Sequence, residues 1–371
     1  MRGRTDTQGP MFLMINVEAE LPQDHPLRAI KRWADRILTA MSRDFTAAYS
    51  TTGRPSVPPE QLLKALLLQA LYSIRSEIQL MQAVHFNLLY RWFLDLHDRA
   101  VWTPEVFSMN RERFAEHGLV RKFFDRIVSE AVLEELASPD HFTVDGTLIQ
   151  SWASLKSLKR RDGTEPERDD SDPGNPTVNF HGEKRTNATH VSGTDPQARL
   201  LRKGKGKEAL LYHSGHVLME NRHGLCLDVR VDAADGKAER RSAKEMLKHV
   251  RRRHGLTPQT VAADKGFDDG SFLLELEERG MSPHVPVRQG RIVSGEPAGL
   301  ARRRARRRMK TKGYGLSQRV RKRIEEIFGW LKMVAGLART RFVGRWRIAL
   351  EALMSGAAYN LLRMARLEAV R

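Results

Sequence analysis

Cysteine is almost absent from this chain of 371 residues, which contains only Cys226. One cysteine cannot form an intramolecular disulfide or a zinc site built from several thiolates. Long apolar runs are missing too, because the longest, from Leu62 to Leu71, is interrupted by Lys64 and Gln69. A spanning helix needs about 20 apolar residues, so no membrane partner is predicted. With no signal-peptide pattern at the N-terminus, these absences predict a cytoplasmic protein.

Acidic residues are scarce in the last quarter of the chain. The sequence has 63 Lys and Arg against 45 Asp and Glu, a formal net charge of +18. Residues 281–371 contain 22 of the basic residues and only 5 of the acidic ones, so almost all of the excess lies there. The hydrophobic content of 40% is too high for a disordered polycation. A folded protein with such a basic region is expected to bind a polyanion.

The spacing of apolar residues divides the chain into two predicted domains. Residues 1–137 have mostly helical spacing and predict an all-α domain. Residues 138–371 alternate between strand and helix patterns, which predicts an α/β domain with a mixed sheet flanked by helices. Within it, residues 221–224 predict the turn of a β-hairpin, and residues 238–254 predict a basic helix. Polar residues 156–208 predict a long surface insertion, and eight of the twelve residues 301–312 are Arg or Lys. The N-terminal helices are compatible with a DNA-reading helix-turn-helix or with a bundle that merely packs.

Two aspartates in the second domain follow predicted strands. Asp145 precedes Gly146, and Asp264 precedes Lys265 and Gly266. Ligands of α/β sheets bind at strand ends, and carboxylate oxygens suit hard cations such as Mg²⁺. A two-metal site would need a third carboxylate from a later helix. An Asp before a Gly is also typical of a turn, so each aspartate alone has a second, structural interpretation.

A helix predicted from Leu316 to Ala335 offers the third carboxylate. The polar stripe beside its apolar face consists of Gln318, Arg321, Glu325 and Lys332. A carboxylate between two cations suits a metal ligand with phosphate contacts on both sides, whereas the structural alternative is a salt bridge from Arg321 to Glu325. Spacing alone does not distinguish Glu325 from the adjacent Glu326.

Three blocks around these acids resemble the acidic motifs of bacterial insertion-sequence DDE transposases, most closely the insertion sequence five family. The blocks are His141-Phe-Thr-Val-Asp-Gly-Thr147, Ala262-Ala-Asp-Lys-Gly-Phe267 and Arg323-Ile-Glu-Glu-Ile-Phe-Gly-Trp-Leu-Lys332. Further similarity lies at residues 53–59, 87–93, 194–199 and 215–222. The resemblance covers roughly residues 20–365 in the order of the family. It implies an RNase H-like catalytic domain, with an aspartate on the first and fourth strands and a glutamate on a later helix.

The family pattern selects between the two adjacent glutamates. Its spacing of Glu, two residues and Phe matches Glu325 and Phe328, so Glu326 is a neighbour of the catalytic acid. Arg321 and Lys332 match two more positions of a Tyr, Arg, Glu and Lys signature. Gln318 stands at the Tyr position and departs from the signature.

The resemblance implies a mechanism and a set of partners. Asp145, Asp264 and Glu325 would be catalytic and would bind two Mg²⁺ ions, with Mn²⁺ as a substitute. Water would cleave DNA at the ends of the element, and the freed 3′-hydroxyl would then attack target DNA. Because two ends must meet, a homodimer or larger assembly on DNA is expected.

Basic side chains are expected to hold the DNA backbone. Besides Arg321 and Lys332, the predicted nucleic-acid-binding residues are Arg302, Arg303, Arg304, Arg306, Arg307, Arg308 and Lys310, together with Lys203, Lys205 and Lys207. The alternative for residues 301–312 is a solvated, disordered connector. Trp152, Phe180 and Trp330 are candidates for stacking on an unpaired base, although aromatic residues are more often part of a core.

Two other functions stay open at this point. One is a domesticated or inactive transposase-derived DNA-binding protein, against which the intact set of acids argues. The other is a metal-dependent nuclease that cuts without joining ends, which would use the same site. A histidine metal site at His213 and His216 is not predicted, because a spacing of three on a strand directs the side chains to opposite faces.

Overall fold

The first part of the chain is helical, as predicted. The computed structural model describes residues 16–96, 99–164, 185–204, 206–290 and 296–370. The helices before the first strand are α1 Val17–Glu20, α2 Pro26–Ala40, α3 Ser42–Ala48, α4 Pro59–Leu71, α5 Glu77–Phe86, α6 Leu88–Phe93, α7 Glu105–Glu116 and α8 Leu119–Leu133. Their starts follow local chemistry: α2 and α4 begin with proline, which fits the first helical turn, and the Ser76 side chain caps α5 by accepting from Gln79 N.

The second part of the chain contains a mixed sheet. Its strands are β1 His141–Gln150, β4 Arg199–Arg202, β5 Ala209–Glu220, β6 Leu225–Ala233, β7 Thr260–Ala262 and β8 Ser282–His284, while β2 Leu158–Arg160 pairs separately with β3 His190–Ser192. The order is β4-β5-β1-β7-β8, and β6 pairs with the same edge of β5 as β4 does. β1 runs antiparallel to β5 and parallel to β7. The predicted hairpin and the predicted mixed sheet are therefore confirmed.

Helices cover this sheet and connect it to the N-terminal part. They are α9 Ala238–His254, α10 Gly270–Glu278, α11 Pro297–Arg308, α12 Lys312–Arg321, α13 Ile324–Met333 and α14 Arg345–Glu368. α9 packs on β1, β5 and β6, whereas α14 packs on β6 and also on α2, α4 and α8. As a result, buried residues of the early helices, the sheet and α14 form one hydrophobic cluster. None of the helices in the described ranges has the length and apolarity needed to cross a membrane.

Three predictions about the second part need correction. The single helix from Leu316 to Ala335 is wrong, because the chain turns between α12 and α13, where Lys322 N donates to Arg319 O and Arg323 N to Val320 O. Hydrogen bonds between residues three apart interrupt the α-helix. They still leave the apolar residues before and after the turn on one continuous face. The disordered connector is also wrong, since residues 301–308 are helical in α11 and bury Ala301 and Ala305.

The predicted surface insertion over residues 156–208 is wrong in part. It contains β2, β3 and β4, and Asp195 within it is fully buried. Asp195 Oδ2 accepts hydrogen bonds from Ser151 Oγ and His213 Nε2, both at 2.8 Å, and this network ties the segment to the sheet. The polar composition of this segment does not predict these contacts. A buried carboxylate is stable only where hydrogen-bond donors reach it, and the fold decides which donors do so. Phe180 and Lys205 lie outside the described residues.

Candidate active site

The pairing of β1 with β7 brings the two aspartates side by side. The last parallel pair is Thr143 opposite Ala262, and each aspartate follows its paired residue by two positions. Asp145 and Asp264 therefore continue the same register and extend from the same side of the two strands. Asp145 is not at a strand end as predicted, because β1 continues beside β5 with Asp145 opposite Val217.

The hydrogen bonds of the two aspartates differ. Asp264 caps a short 3₁₀ turn, Lys265–Phe267, and its Oδ1 accepts from Gly266 N at 2.8 Å. This hydrogen bond confirms that Asp264 helps to form a turn. Asp145 Oδ1 accepts from Gly146 N at 2.8 Å, but this residue lies within a strand and forms no turn.

The polar stripe approaches Asp145 from α12 and α13. Arg321 Nη1 lies 3.4 Å from Asp145 Oδ2, and Arg321 Nε donates to Gln318 Oε1 at 3.3 Å. The ion pair of Arg321 is therefore with Asp145, and the alternative pair with Glu325 is not found among the described residues. Glu325 is exposed in the first turn of α13, and its side chain has no hydrogen bond or salt bridge within the described ranges.

The pKa of Asp145 reflects several neighbouring charges. Burial, together with the charges of Asp264 and Glu325, raises this pKa to about 6, although the Gly146 N–H and Arg321 act to lower it. Burial and the charge of Lys203 lower the pKa of Lys332, whereas Asp145 opposes that shift. A bound cation would stabilise the charged forms of carboxylates that lie this close to one another.

Two further side chains lie at this site: the sequence analysis did not single out Glu239, and it considered His216 only in a metal site with His213, which was not predicted. Glu239 lies in the first turn of α9, and burial followed by the charges of Asp264 and Asp145 raises its pKa. His216, on β5 opposite Gly146, is fully buried, and neither ring nitrogen has a hydrogen-bond partner among the described residues. Burial lowers the pKa of His216 to about 4. No sequence spacing signals either residue, because both reach the site through packing between elements distant in the chain.

The donor set fits a divalent cation of the hard type. Asp145, Asp264 and Glu325 offer only oxygen ligands, and the buried nitrogens of His216 are unpartnered close by. A tighter group of possible ligands occurs elsewhere, where Asp125, His249 and His254 have atoms all within 4.8 Å of one another in the described part of the chain. The three acids are spaced more widely than that.

Family models identify the chain. The model described as "Transposase domain (DUF772)" matches residues 15–113, and the model described as "Transposase DDE domain" matches residues 187–361, so that the two span about three quarters of the sequence. The chain belongs to the DDE transposases. The DDE match includes Asp264 and Glu325 and begins after Asp145. The transposase is thus a DNA-acting enzyme that depends on a divalent metal ion, whereas membership of the insertion sequence five family stays a prediction.

Other comparisons add little to this assignment. Among solved structures, the transposase is similar to the "Mos1 transposase paired-end complex with left transposon end" at 12% identity, over 81% of this chain and 85% of that chain. The TM-score is 0.21. No curated protein is significantly similar to the transposase.

The basic side chains of α11 fall into two groups. Arg302 binds Asp268 through Nε at 2.9 Å and Nη2 at 2.8 Å, and Arg304 and Arg308 form ion pairs with Glu277 at 2.5 and 2.6 Å. Arg306 donates to backbone oxygens of residues 288 and 290. These four arginines therefore fix α11 to its neighbours, whereas Arg303, Arg307 and, just beyond the end of the helix, Lys310 are exposed.

The remaining predicted contacts also separate into surface and core. Lys203 Nζ lies 5.4 Å from the centre of the Tyr212 ring, and Lys207 is exposed. Trp330 packs against Tyr359, with ring centroids 5.7 Å apart, and therefore belongs to the core. Trp152 is 55% exposed, and the Arg339 guanidinium lies over its ring. Trp152 therefore stays a candidate for stacking on a base.

Proposed function

We propose that this transposase cleaves the ends of an insertion sequence and joins them to target DNA, with Asp145, Asp264 and Glu325 as its catalytic carboxylates. The observation that carries the proposal is the register of β1 and β7, in which both aspartates follow paired residues by two positions. The charge of Glu325 raises the pKa of Asp145, which supports a common site for all three acids.

The three carboxylates would hold two Mg²⁺ ions, for which Mn²⁺ would substitute. Two such ions activate an attacking oxygen and stabilise the leaving oxygen of a phosphodiester. Arg321 is bound to Asp145 at 3.4 Å, so neutralising that carboxylate would free the guanidinium for a phosphate oxygen. Lys332 would contact the same DNA strand from the other side, and its proximity to Asp145 supports this role.

The DNA path would follow the outward-facing basic residues. Exposed members of the predicted set include Arg303 and Arg307 on α11, Lys310 just beyond the end of that helix, and Lys203 and Lys207. Each phosphate contact releases counterions and strengthens the salt dependence of binding. In this proposal residues 1–137 form the domain that recognises the element ends, residues 138–371 form the catalytic domain, and at least two chains assemble on DNA to bring both ends together.

The decisive experiment compares two neighbouring glutamates. Glu325→Gln should reduce Mg²⁺-dependent strand cleavage by on the order of 10³-fold, because it removes a catalytic carboxylate. Glu326→Gln, which is also exposed and lies in the same helical turn, is the matched control and should retain cleavage. Both variants should bind DNA carrying the element end with wild-type affinity in a gel-shift assay.

The same assay tests the alternatives. Strand-transfer products joined to a target plasmid are expected, whereas cleavage without joining would identify a nuclease. A wild-type protein that binds DNA and never cuts it would identify an inactive relative. Full cleavage by Glu325→Gln would show that the catalytic acid has been misassigned.

A further inference from the structure

Glu239 is the carboxylate near the two aspartates that has no role in the mechanism above. It lies in the first turn of α9, whose backbone is fixed against β1, β5 and β6. The preceding residue, Ala238, is fully buried and anchors this turn. The Glu239 side chain therefore leaves a rigid part of the fold, as a metal ligand requires.

The surroundings of Gly266 show how close Glu239 comes to Asp264. A methyl group at Gly266 would lie 3.0 Å from Asp264 Oδ1 and equally 3.0 Å from Glu239 Oε2. Carboxylate oxygens of both residues therefore face one small space beside the strand end. Two anionic oxygens that share such a space repel each other unless a cation or a proton lies with them.

A second and independent observation points into the same region from β5. A methyl group at Gly146, next to Asp145, would lie 3.3 Å from Glu239 Oε1 and 3.2 Å from Nδ1 of the buried His216. Both nitrogens of His216 lack hydrogen-bond partners in the described ranges. A buried imidazole needs a polar partner, and a hydrated cation between these groups would supply one.

The neighbours of Glu239 do not neutralise it. Its carboxylate has no hydrogen bond or salt bridge with any residue that the structure describes. The adjacent Arg240 donates to Gly266 O at 3.1 Å and lies 4.0 Å from Asp269. The basic side chain best placed to pair with Glu239 is thus engaged elsewhere.

We propose that Glu239 is a fourth carboxylate of the metal site and binds the same cation as Asp264. This inference rests on the proposed function, because it takes Asp264 as a metal ligand. The simpler alternative is that Glu239 only stabilises the N-terminus of α9, where an acidic side chain is favourable. The two roles differ in what they do to metal binding.

The experiment is a titration of the full-length transposase with Mn²⁺ alone, in which free Mn²⁺ is followed by electron paramagnetic resonance. Glu239→Gln should weaken binding of at least one ion by about tenfold or more. Glu245→Gln, an exposed glutamate on the same helix, is the matched control and should bind Mn²⁺ as the wild type does. Asp264→Asn should weaken binding as well.

The outcomes separate the inference from the function on which it rests. Wild-type Mn²⁺ affinity and stoichiometry in Glu239→Gln, with weakened binding in Asp264→Asn, would overturn the role of Glu239 and leave the proposed site intact. Unchanged binding in Asp264→Asn would instead overturn the proposed site.

Thermal unfolding provides the second readout. Mn²⁺ should raise the Tm of Glu239→Gln less than that of the wild type, because a ligand that binds only the folded state stabilises it according to its affinity. A role confined to the helix would lower the Tm in EDTA and leave the Mn²⁺-induced rise unchanged. That result would also contradict the proposal.

Discussion

Replacing Asp145 by Asn should stabilise the metal-free transposase while abolishing its activity. The amide keeps the shape of the carboxyl group and can still accept the hydrogen bond from Gly146 N, now 2.8 Å from Asp145 Oδ1. It cannot ionise. The substitution therefore removes the cost of a buried negative charge beside Asp264 and Glu325, and it gives up the ion pair with Arg321 at 3.4 Å.

The magnitude follows from the pKa of Asp145. Burial and the neighbouring carboxylates raise this pKa from 3.8 to about 6, which corresponds to about 3 kcal/mol of folding free energy. Because the side chain is 23% exposed, solvent screening reduces the expected effect to about 2 kcal/mol. The folded state binds the proton more tightly than the unfolded chain, so the wild type has this stability below about pH 4 and loses it as the pH rises through 6.

The assay is denaturant unfolding in EDTA between pH 4 and pH 8. The free energy of unfolding of Asp145→Asn minus that of the wild type should increase by about 2 kcal/mol over this range. Asp24→Asn, at an exposed position, should show no such trend. Adding Mg²⁺ should stabilise the wild type and reduce the difference. A difference that stays constant with pH, or that falls above pH 6, would refute the reasoning.

Three further substitutions test the packing of α11 and its contact with DNA. Arg302→Ala should lower the free energy of unfolding by about 2 kcal/mol in denaturant titrations, because it leaves the carboxylate of Asp268, only 1% exposed, without its bidentate partner. Arg307→Ala should leave stability unchanged, but should weaken DNA binding and reduce the slope of log K against log salt by about 0.9; an unchanged slope would contradict a phosphate contact. Gly270→Ala should cost about 1–3 kcal/mol in the same titrations, since its methyl group would lie 2.7 Å from the carbonyl oxygen of Ala298, and a neutral effect would show that α10 and α11 are not rigidly packed.

Local patterns predicted much of the second part of the chain. The helix from Ala238 to His254 has the predicted bounds, and the hairpin of β5 and β6 turns where predicted, over residues 221–224. These elements depend on spacing and turn chemistry within a short segment. The turn between α12 and α13 was not predicted, because its i to i+3 hydrogen bonds leave the apolar face continuous.

The candidate site was predicted only as far as its motifs reach. Asp145 and Asp264 were found because each follows a recognisable strand, and the spacing to Phe328 selected Glu325. Their proximity depends on the register of β1 and β7, which is a property of the folded sheet. Glu239 could not be found in this way, because its position depends on how α9 packs across three strands.

By itself, the sequence determined that this protein is a folded, basic, metal-dependent transposase, because composition, periodicity and ordered motifs are properties of the chain. The tertiary structure decided which basic side chains are available to bind DNA. It joined Arg304 and Arg308 to Glu277 of α10 and Arg302 to Asp268 just before that helix, and it left Arg307 and Lys310 exposed. The physical reason is that an ion pair depends on distance in space, and residues far apart in the chain become neighbours only when the helices pack.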